Sequence, residues 1–176
     1  MRAVVLADTH VPRRARELPP ELWDAIDAAD LVIHAGDWVS LDLVERITSR
    51  CRLLGVYGNN DGPDIRAVLP EVAREELGGV RVAVVHETGA SGGRERRMDV
   101  TYGGTADLLV FGHSHIPWDT TTPGGLRLLN PGSPTDKRSQ PVGTWVTAMF
   151  DGGAVEVEWH AVHRAGAPST TSRSRA

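Results

Sequence analysis

Cysteine is almost absent: the chain has one, Cys51, in 176 residues. A single cysteine excludes an intramolecular disulfide and any cysteine-built zinc or iron–sulfur site. Cys51 opens an apolar run, so it reads as a small core side chain and not as a catalytic thiol. No apolar run approaches the length that spans a bilayer, and no membrane association is expected. An excess of positive charge is missing too. The net charge of −4 argues against a nucleic-acid surface and for an ordinary solvated one. The start, Met1-Arg2-Ala3-Val4-Val5-Leu6, runs directly into Asp8 and His10 with no cleavage-site pattern. A first strand and a cytoplasmic protein are therefore expected. No internal repeat is visible.

What is present is an ordinary globular composition, 40% hydrophobic and 24% charged. It suffices for one domain with a real core, expected over residues 1–163. Residues 164–176 are rich in Ser, Thr and Arg without apolar periodicity and are expected to form a disordered tail.

The apolar runs Val4–Leu6, Leu31–Ala35, Arg52–Tyr57, Val80–Val85 and Leu108–Phe111 read as strands. Helices are expected over Glu21–Ala29, from a Ser40 cap to Arg50, over Asp64–Leu69 and from Gly93 to Tyr102. Leu126–Leu129, Thr144–Phe150 and Val155–Trp159 read as later antiparallel strands, with Asp151-Gly152-Gly153 as a hairpin turn. The pattern is α/β, and its simplest architecture is a two-layered sheet core with helices outside.

Each of the first five strands ends in a polar cluster. The clusters are Asp8-Thr9-His10, Gly36-Asp37, Gly58-Asn59-Asn60-Asp61, His86 and Gly112-His113-Ser114-His115. Open α/β sheets bind ligands beyond the carboxyl ends of their strands, so the clusters can meet. Asp8 and His10 are two apart, and an extended segment points both the same way; His113 and His115 repeat the spacing. The preceding glycines leave the backbone room to turn. Two Asp, one Asn and four His form a ligand set large enough for two borderline divalent ions. With one carboxylate shared, each ion receives four protein ligands and keeps positions open for water or substrate. Two such ions outweigh two carboxylates and a bridging hydroxide, so the centre attracts an anionic ester. Hydrolysis of a phosphate ester is the reaction this arrangement favours. A single His or Gly-Asp is usually a packing residue or a turn, and His160 and His163 are read that way. Five clusters in order, each after an apolar run, are not explained as turns.

Asp8-Thr9-His10-Val11-Pro12, Leu18-Pro19, His34-Ala35-Gly36-Asp37, Gly58-Asn59-Asn60-Asp61, Gly112-His113-Ser114-His115 and Asn130-Pro131-Gly132-Ser133 resemble the calcineurin-like metallophosphoesterase superfamily. Within it they are similar to the small YfcE-type phosphodiesterase branch. The resemblance covers about residues 2–160 and implies a four-layered α/β/β/α sandwich. It implies that Asp8, His10, Asp37 and His115 hold one metal, with Asp37 bridging. Asn59, His86 and His113 would complete the second. Manganese heads the ions expected, with nickel, iron, cobalt and zinc as alternatives. His34 belongs to the motif without being implied as a ligand, and a structural role is expected for it.

Two positions depart from the family. Many members carry a His after the metal-binding Asn, thought to protonate the leaving group; here that place holds Asn60, as in the YfcE-type branch. An amide cannot be a general acid, so either substrates with good leaving groups or an acid from elsewhere in the chain is expected. Asn60 and Asp61 are kept as candidates for a catalytic role, with Asp61 also a candidate for fixing the loop. The second departure is Glu87, where the family usually has Gly. It would alter the backbone or place a carboxylate near the second metal. Arg13 and Arg14 either approach a substrate phosphate or form a solvated basic loop. The expected partner is a small phosphate ester, not a nucleic acid or a membrane, and a homo-oligomer is left open. The competing hypothesis is a non-catalytic scaffold, because the same fold serves that purpose in the retromer complex.

Overall fold

The computed structural model describes residues 1–162 and the backbone of residues 171–175. In chain order the elements are β1 (Arg2–Leu6), α1 (Pro20–Asp27), β2 (Leu31–His34), α2 (Leu41–Thr48), β3 (Arg52–Gly55), α3 (Pro63–Val68), β4 (Val72–Leu77), β5 (Val80–Val85), α4 (Arg94–Tyr102), β6 (Leu108–Val110), β7 (Trp118–Thr121), β8 (Arg127–Asn130), β9 (Gly143–Asp151), β10 (Ala154–Val162) and β11 (Thr171–Arg175). They build two sheets. A six-stranded sheet has the order β11-β10-β9-β1-β2-β3, and a five-stranded sheet has the order β4-β5-β6-β8-β7. Parallel pairing runs through β1-β2-β3 at one side of the first sheet and through β5-β6-β8 at the centre of the second. The other pairings are antiparallel.

Alternation along the strands explains the layering. In β1, Ala3 and Val5 point into a core between the sheets, joined by Leu31, Ile33, Val82, Val84, Leu108 and Val110. Val4 and Leu6 point the other way, onto Leu22 and Ile26 of α1 and Leu43 and Ile47 of α2. On the far side, Ala83, Val85 and Leu109 meet Met98 and Tyr102 of α4. A strand buried on both faces is therefore apolar throughout. The three cores separate four layers, α/β/β/α, as expected.

Proline at the first turn starts α1 and α3. Ser40 occupies the N-cap of α2 in an extended conformation but makes no side-chain capping hydrogen bond. Several boundaries contract by one or two residues: β3 ends at Gly55, not Tyr57. Two strands, β4 and β7, were not anticipated. Both are edge strands with one solvated face, so β4 buries only Ala73 and Leu77 among its six residues and looks like a charged loop. Within the stretch expected to be a disordered tail, Thr171–Arg175 pairs antiparallel with β10; residues 163–170, including His163, and residue 176 lie outside the described residues. Cys51 is buried with its thiol 3.3 Å from the Ala29 carbonyl, a core position. Among the described residues no helix is long and apolar enough to cross a membrane.

Candidate metal centre

Parallel pairing sets the strand ends level. Leu6 lies opposite His34, His34 opposite Gly55, and Val84 opposite Val110. The five polar clusters leave the two sheets at the same end, and all seven expected donors come together there.

They form two groups. His10 Nε2 lies 3.2 Å from His115 Nε2 and 3.5 Å from Asp37 Oδ2, and His115 Nε2 lies 3.6 Å from Asp8 Oδ1. In the second group His86 Nε2 lies 3.4 Å from Asp37 Oδ1 and 2.9 Å from Asn59 Oδ1. His113 Nδ1 lies 3.0 Å from the same Asn59 oxygen. Asp37 thus turns one oxygen toward each group.

The spacing is that of ligands around cations. Bonds of ~2.0–2.1 Å place neighbouring donors ~3.0–3.4 Å apart in octahedral and tetrahedral shells. The proton positions agree. His86 Nδ1 donates to the Ala35 carbonyl at 2.7 Å, and His115 Nδ1 donates to the Asp136 carbonyl at 2.6 Å. Each Nε2 is left with a lone pair facing the other donors, the usual arrangement of a ligating histidine. Asp8 Oδ2 is buried with no hydrogen-bond partner, an expensive state for a carboxylate oxygen that a cation relieves. A divalent ion of the imidazole- and carboxylate-binding kind fits both groups.

Without a cation, burial and the attraction between Asp37 and His86 set the charges of the group. Burial pushes the Asp8 carboxyl up to about 7 and the His115 imidazole down to about 4, and it also lowers His10. Burial raises Asp37 as well, but the hydrogen bond and charge of His86 and two hydrogen bonds from Asn60 outweigh it. The Asp37 carboxyl is held below the usual carboxylate range. His86 is raised: burial pulls it down, and Asp37 overcomes that pull.

The backbone is unusual. Asp8, His10, Asp37, His113 and His115 all have positive φ, between 45° and 70°. The two-residue spacings therefore do not act through an extended segment, as expected from sequence. Left-handed residues turn the side chains inward instead, at a conformational cost that concentrates at functional sites. Glycine makes room for this. A Cβ on Gly58 would overlap the Asp37 carboxylate, and Gly36, at φ +86°, packs against Gly58 and His86.

Asn60 and Asp61 serve Asp37. The Asn60 backbone N–H and side-chain amide donate to the two Asp37 oxygens at 2.9 and 2.6 Å. Asp61 accepts from the backbone N–H groups of Asp37, Gly58 and Val39 at 3.0, 2.7 and 2.7 Å, so both its oxygens are committed to backbone. His34 lies outside the donor groups. It is fully buried, stacks on Trp38 with ring centroids 3.5 Å apart, accepts from Gly36 N–H and contacts the Thr9 hydroxyl. His160 stacks on Trp145 and meets the Thr147 hydroxyl. Glu87 is exposed, with Oε1 3.9 Å from His113 Nδ1, and it completes a third donor group with His86 and His113. Arg14 pairs with Asp136 at 3.4 Å.

Sequence reasoning missed the props. Ser133 donates to the Asp8 carbonyl at 2.7 Å, Thr135 donates to the Thr9 carbonyl, and Asn130 donates to the Gly112 carbonyl. Asn130 ends β8, which pairs with β6 beside the centre, and Ser133 and Thr135 follow it. Arg138, with φ +47°, donates to the His113 carbonyl at 3.4 Å. The Asn130–Ser133 motif was the available signal for Asn130 and Ser133; nothing in sequence pointed to Thr135, Asp136 or Arg138.

Known proteins share this construction. Residues 1–153 match the calcineurin-like phosphoesterase superfamily domain. A probable metallophosphoesterase of Methanothermobacter thermautotrophicus is 33% identical over 167 residues, 93% of this chain and 92% of that one. A second, from Methanocaldococcus jannaschii, is 32% identical over 137 residues, 76% of this chain and 68% of that one. Among solved structures, wild-type Vps29 of Entamoeba histolytica complexed with zinc superposes with a TM-score of 0.82 at 21% identity, covering 99% of each chain. With its donor clusters, its four layers and these relatives, the chain belongs to the calcineurin-like phosphoesterase superfamily.

Proposed function

We propose that this protein is a dinuclear metal-dependent phosphoesterase that prefers diesters to monoesters. The observation that carries the reading is the Asp37 carboxylate, which offers Oδ2 to His10 and Oδ1 to His86. Asp8, His10, Asp37 and His115 are assigned to one ion, and Asp37, Asn59, His86 and His113 to the other. When bound, two divalent ions supply Lewis-acid charge to a phosphate and acidify water for attack.

The protein's own part is positional. The Ala35 and Asp136 carbonyls hold the imidazoles of His86 and His115 with their Nε2 lone pairs inward. Asn60 holds both oxygens of Asp37, and Asp61 holds the loops that carry Asp37 and Gly58. Asn60 can donate a hydrogen bond to a phosphate oxygen but cannot protonate a leaving group. Esters of acidic alcohols and phenols are the substrates this suits. Asn60→His supplies an imidazole there, and turnover of an alkyl phosphodiester is expected to rise; an unchanged rate with metals retained counts against this assignment.

The direct test strips the protein with a chelator and reloads it with manganese, nickel or zinc. Two ions per chain are expected, together with metal-dependent hydrolysis of bis-p-nitrophenyl phosphate faster than of p-nitrophenyl phosphate. A single ion per chain sinks the dinuclear assignment. Two ions with no turnover of any ester would instead favour a scaffold.

A further inference from the structure

Beside Asn59, His86 and the neighbouring Glu87 lies a cavity of about 310 Å³ that extends away from the centre. Tyr57, Arg66, Glu71, Val72, Tyr102 and Glu87 line it. The volume is at the small end of ligand pockets and suits one ring system.

The walls are flat and delocalised. The Arg66 guanidinium lies 4.4 Å from the Tyr57 ring, and the Tyr57 hydroxyl donates to Glu71 at 3.3 Å. Arg74 lies 5.1 Å from the ring of Tyr102. Arg66 is committed to the loop, donating to the carbonyls of Asp61 and Gly58 at 2.8 and 3.0 Å. Polar capacity facing the cavity is therefore dominated by the Glu71 and Glu87 carboxylates, which accept hydrogen bonds and do not donate them. Among the lining side chains two carboxylates stand against one guanidinium, with Arg74 outside the lining at Tyr102, and that excess disfavours a second anionic group on a ligand. An uncharged ring with N–H donors meets both conditions, since it stacks on flat walls and gives its protons to the carboxylates.

We infer that this cavity receives one ester substituent of the substrate, and that the substituent is a flat, uncharged, N–H-bearing ring of the nucleobase type. The inference rests on the phosphoesterase reading above and specifies the substrate class of that site. Tyr57, Glu71 and Tyr102 become its specificity-determining residues.

Calorimetric titration of the zinc-loaded full chain tests it with three ligands: inorganic phosphate, ribose 5-phosphate and adenosine 5′-monophosphate. Stacking of a base predicts adenosine monophosphate binding about tenfold tighter than ribose phosphate. Val72→Phe, on the exposed edge strand β4, fills the cavity and is expected to bring that ratio to about one. Glu71→Ala, at an exposed side chain, removes an acceptor and is expected to lower the ratio severalfold. A ratio near one in the unmodified protein, with phosphate still bound, overturns the cavity assignment and leaves the phosphoesterase reading standing. A high ratio that survives both substitutions overturns it as well. Failure of all three ligands to bind removes both readings together.

Discussion

A methyl group at Gly58 would occupy the space of the Asp37 carboxylate, which is why the smallest residue precedes Asn59. Gly58→Ala keeps every donor residue in the sequence yet displaces the Asp37 carboxylate. Metal affinity is expected to fall by tenfold or more in a direct titration, while far-ultraviolet circular dichroism stays that of the parent. Asp61 acts at the same scale by accepting three backbone N–H groups in a buried position. Removing it strands those donors, each costing about 1–3 kcal/mol. Asp61→Ala is therefore expected to lose roughly 3 kcal/mol or more in urea unfolding and to weaken metal binding. Residue identities at the centre were legible in the sequence because the ligand types are few and chemically distinctive. The sign of φ at Asp8, His10, Asp37, His113 and His115 was not, because Asp and His are enriched among left-handed residues yet adopt ordinary backbone conformations at most positions.

The secondary-structure elements place these residues by means of their apolar composition. The central strands β1, β2, β5 and β6 were readable because burial on both faces leaves little room for polar residues. The edge strands β4 and β7 hid behind their charges, and the cavity wall that Val72 contributes was hidden with them. His34 shows how β2 supports the centre without touching it. It links β2 to the Thr9 hydroxyl and the Gly36 backbone, and it backs onto Trp38. His34→Ala opens a cavity and breaks both contacts. A loss of about 2–4 kcal/mol is expected by chemical denaturation. Metal stoichiometry should remain that of the parent under strongly folding conditions; a lost ion would instead make His34 a donor.

At the scale of the whole molecule, the donors come from both sheets, Asp8, His10, Asp37 and Asn59 from one and His86, His113 and His115 from the other. Bound cations would fasten the two sheets at one end of the core they share. A metal held at a thousandfold excess over its Kd adds about 4 kcal/mol to a folded chain, or roughly 10 °C in Tm at this size. Thermal scans with and without chelator are expected to differ by that order. Equal Tm values would mean that the donors do not bind across the sheets. The layering was legible in the change from β-α units to antiparallel strands, which suggests two sheets with helices outside; which strands neighbour which, and how the two sheets face each other, was not, because local patterning specifies burial and not pairing.

The left-handed backbone at His113 ties stability to chemistry in a single peptide unit. This imidazole is exposed and contributes little packing, while its φ of 70° suits glycine better than any other residue. Compared without metal, His113→Gly should therefore unfold at a urea concentration close to that of the parent, because relief of the positive φ offsets the chain entropy of a new glycine. It forfeits one donor, and with it part of the stabilisation that a cation would confer, so the left-handed loop is favoured only while the donors hold their ions.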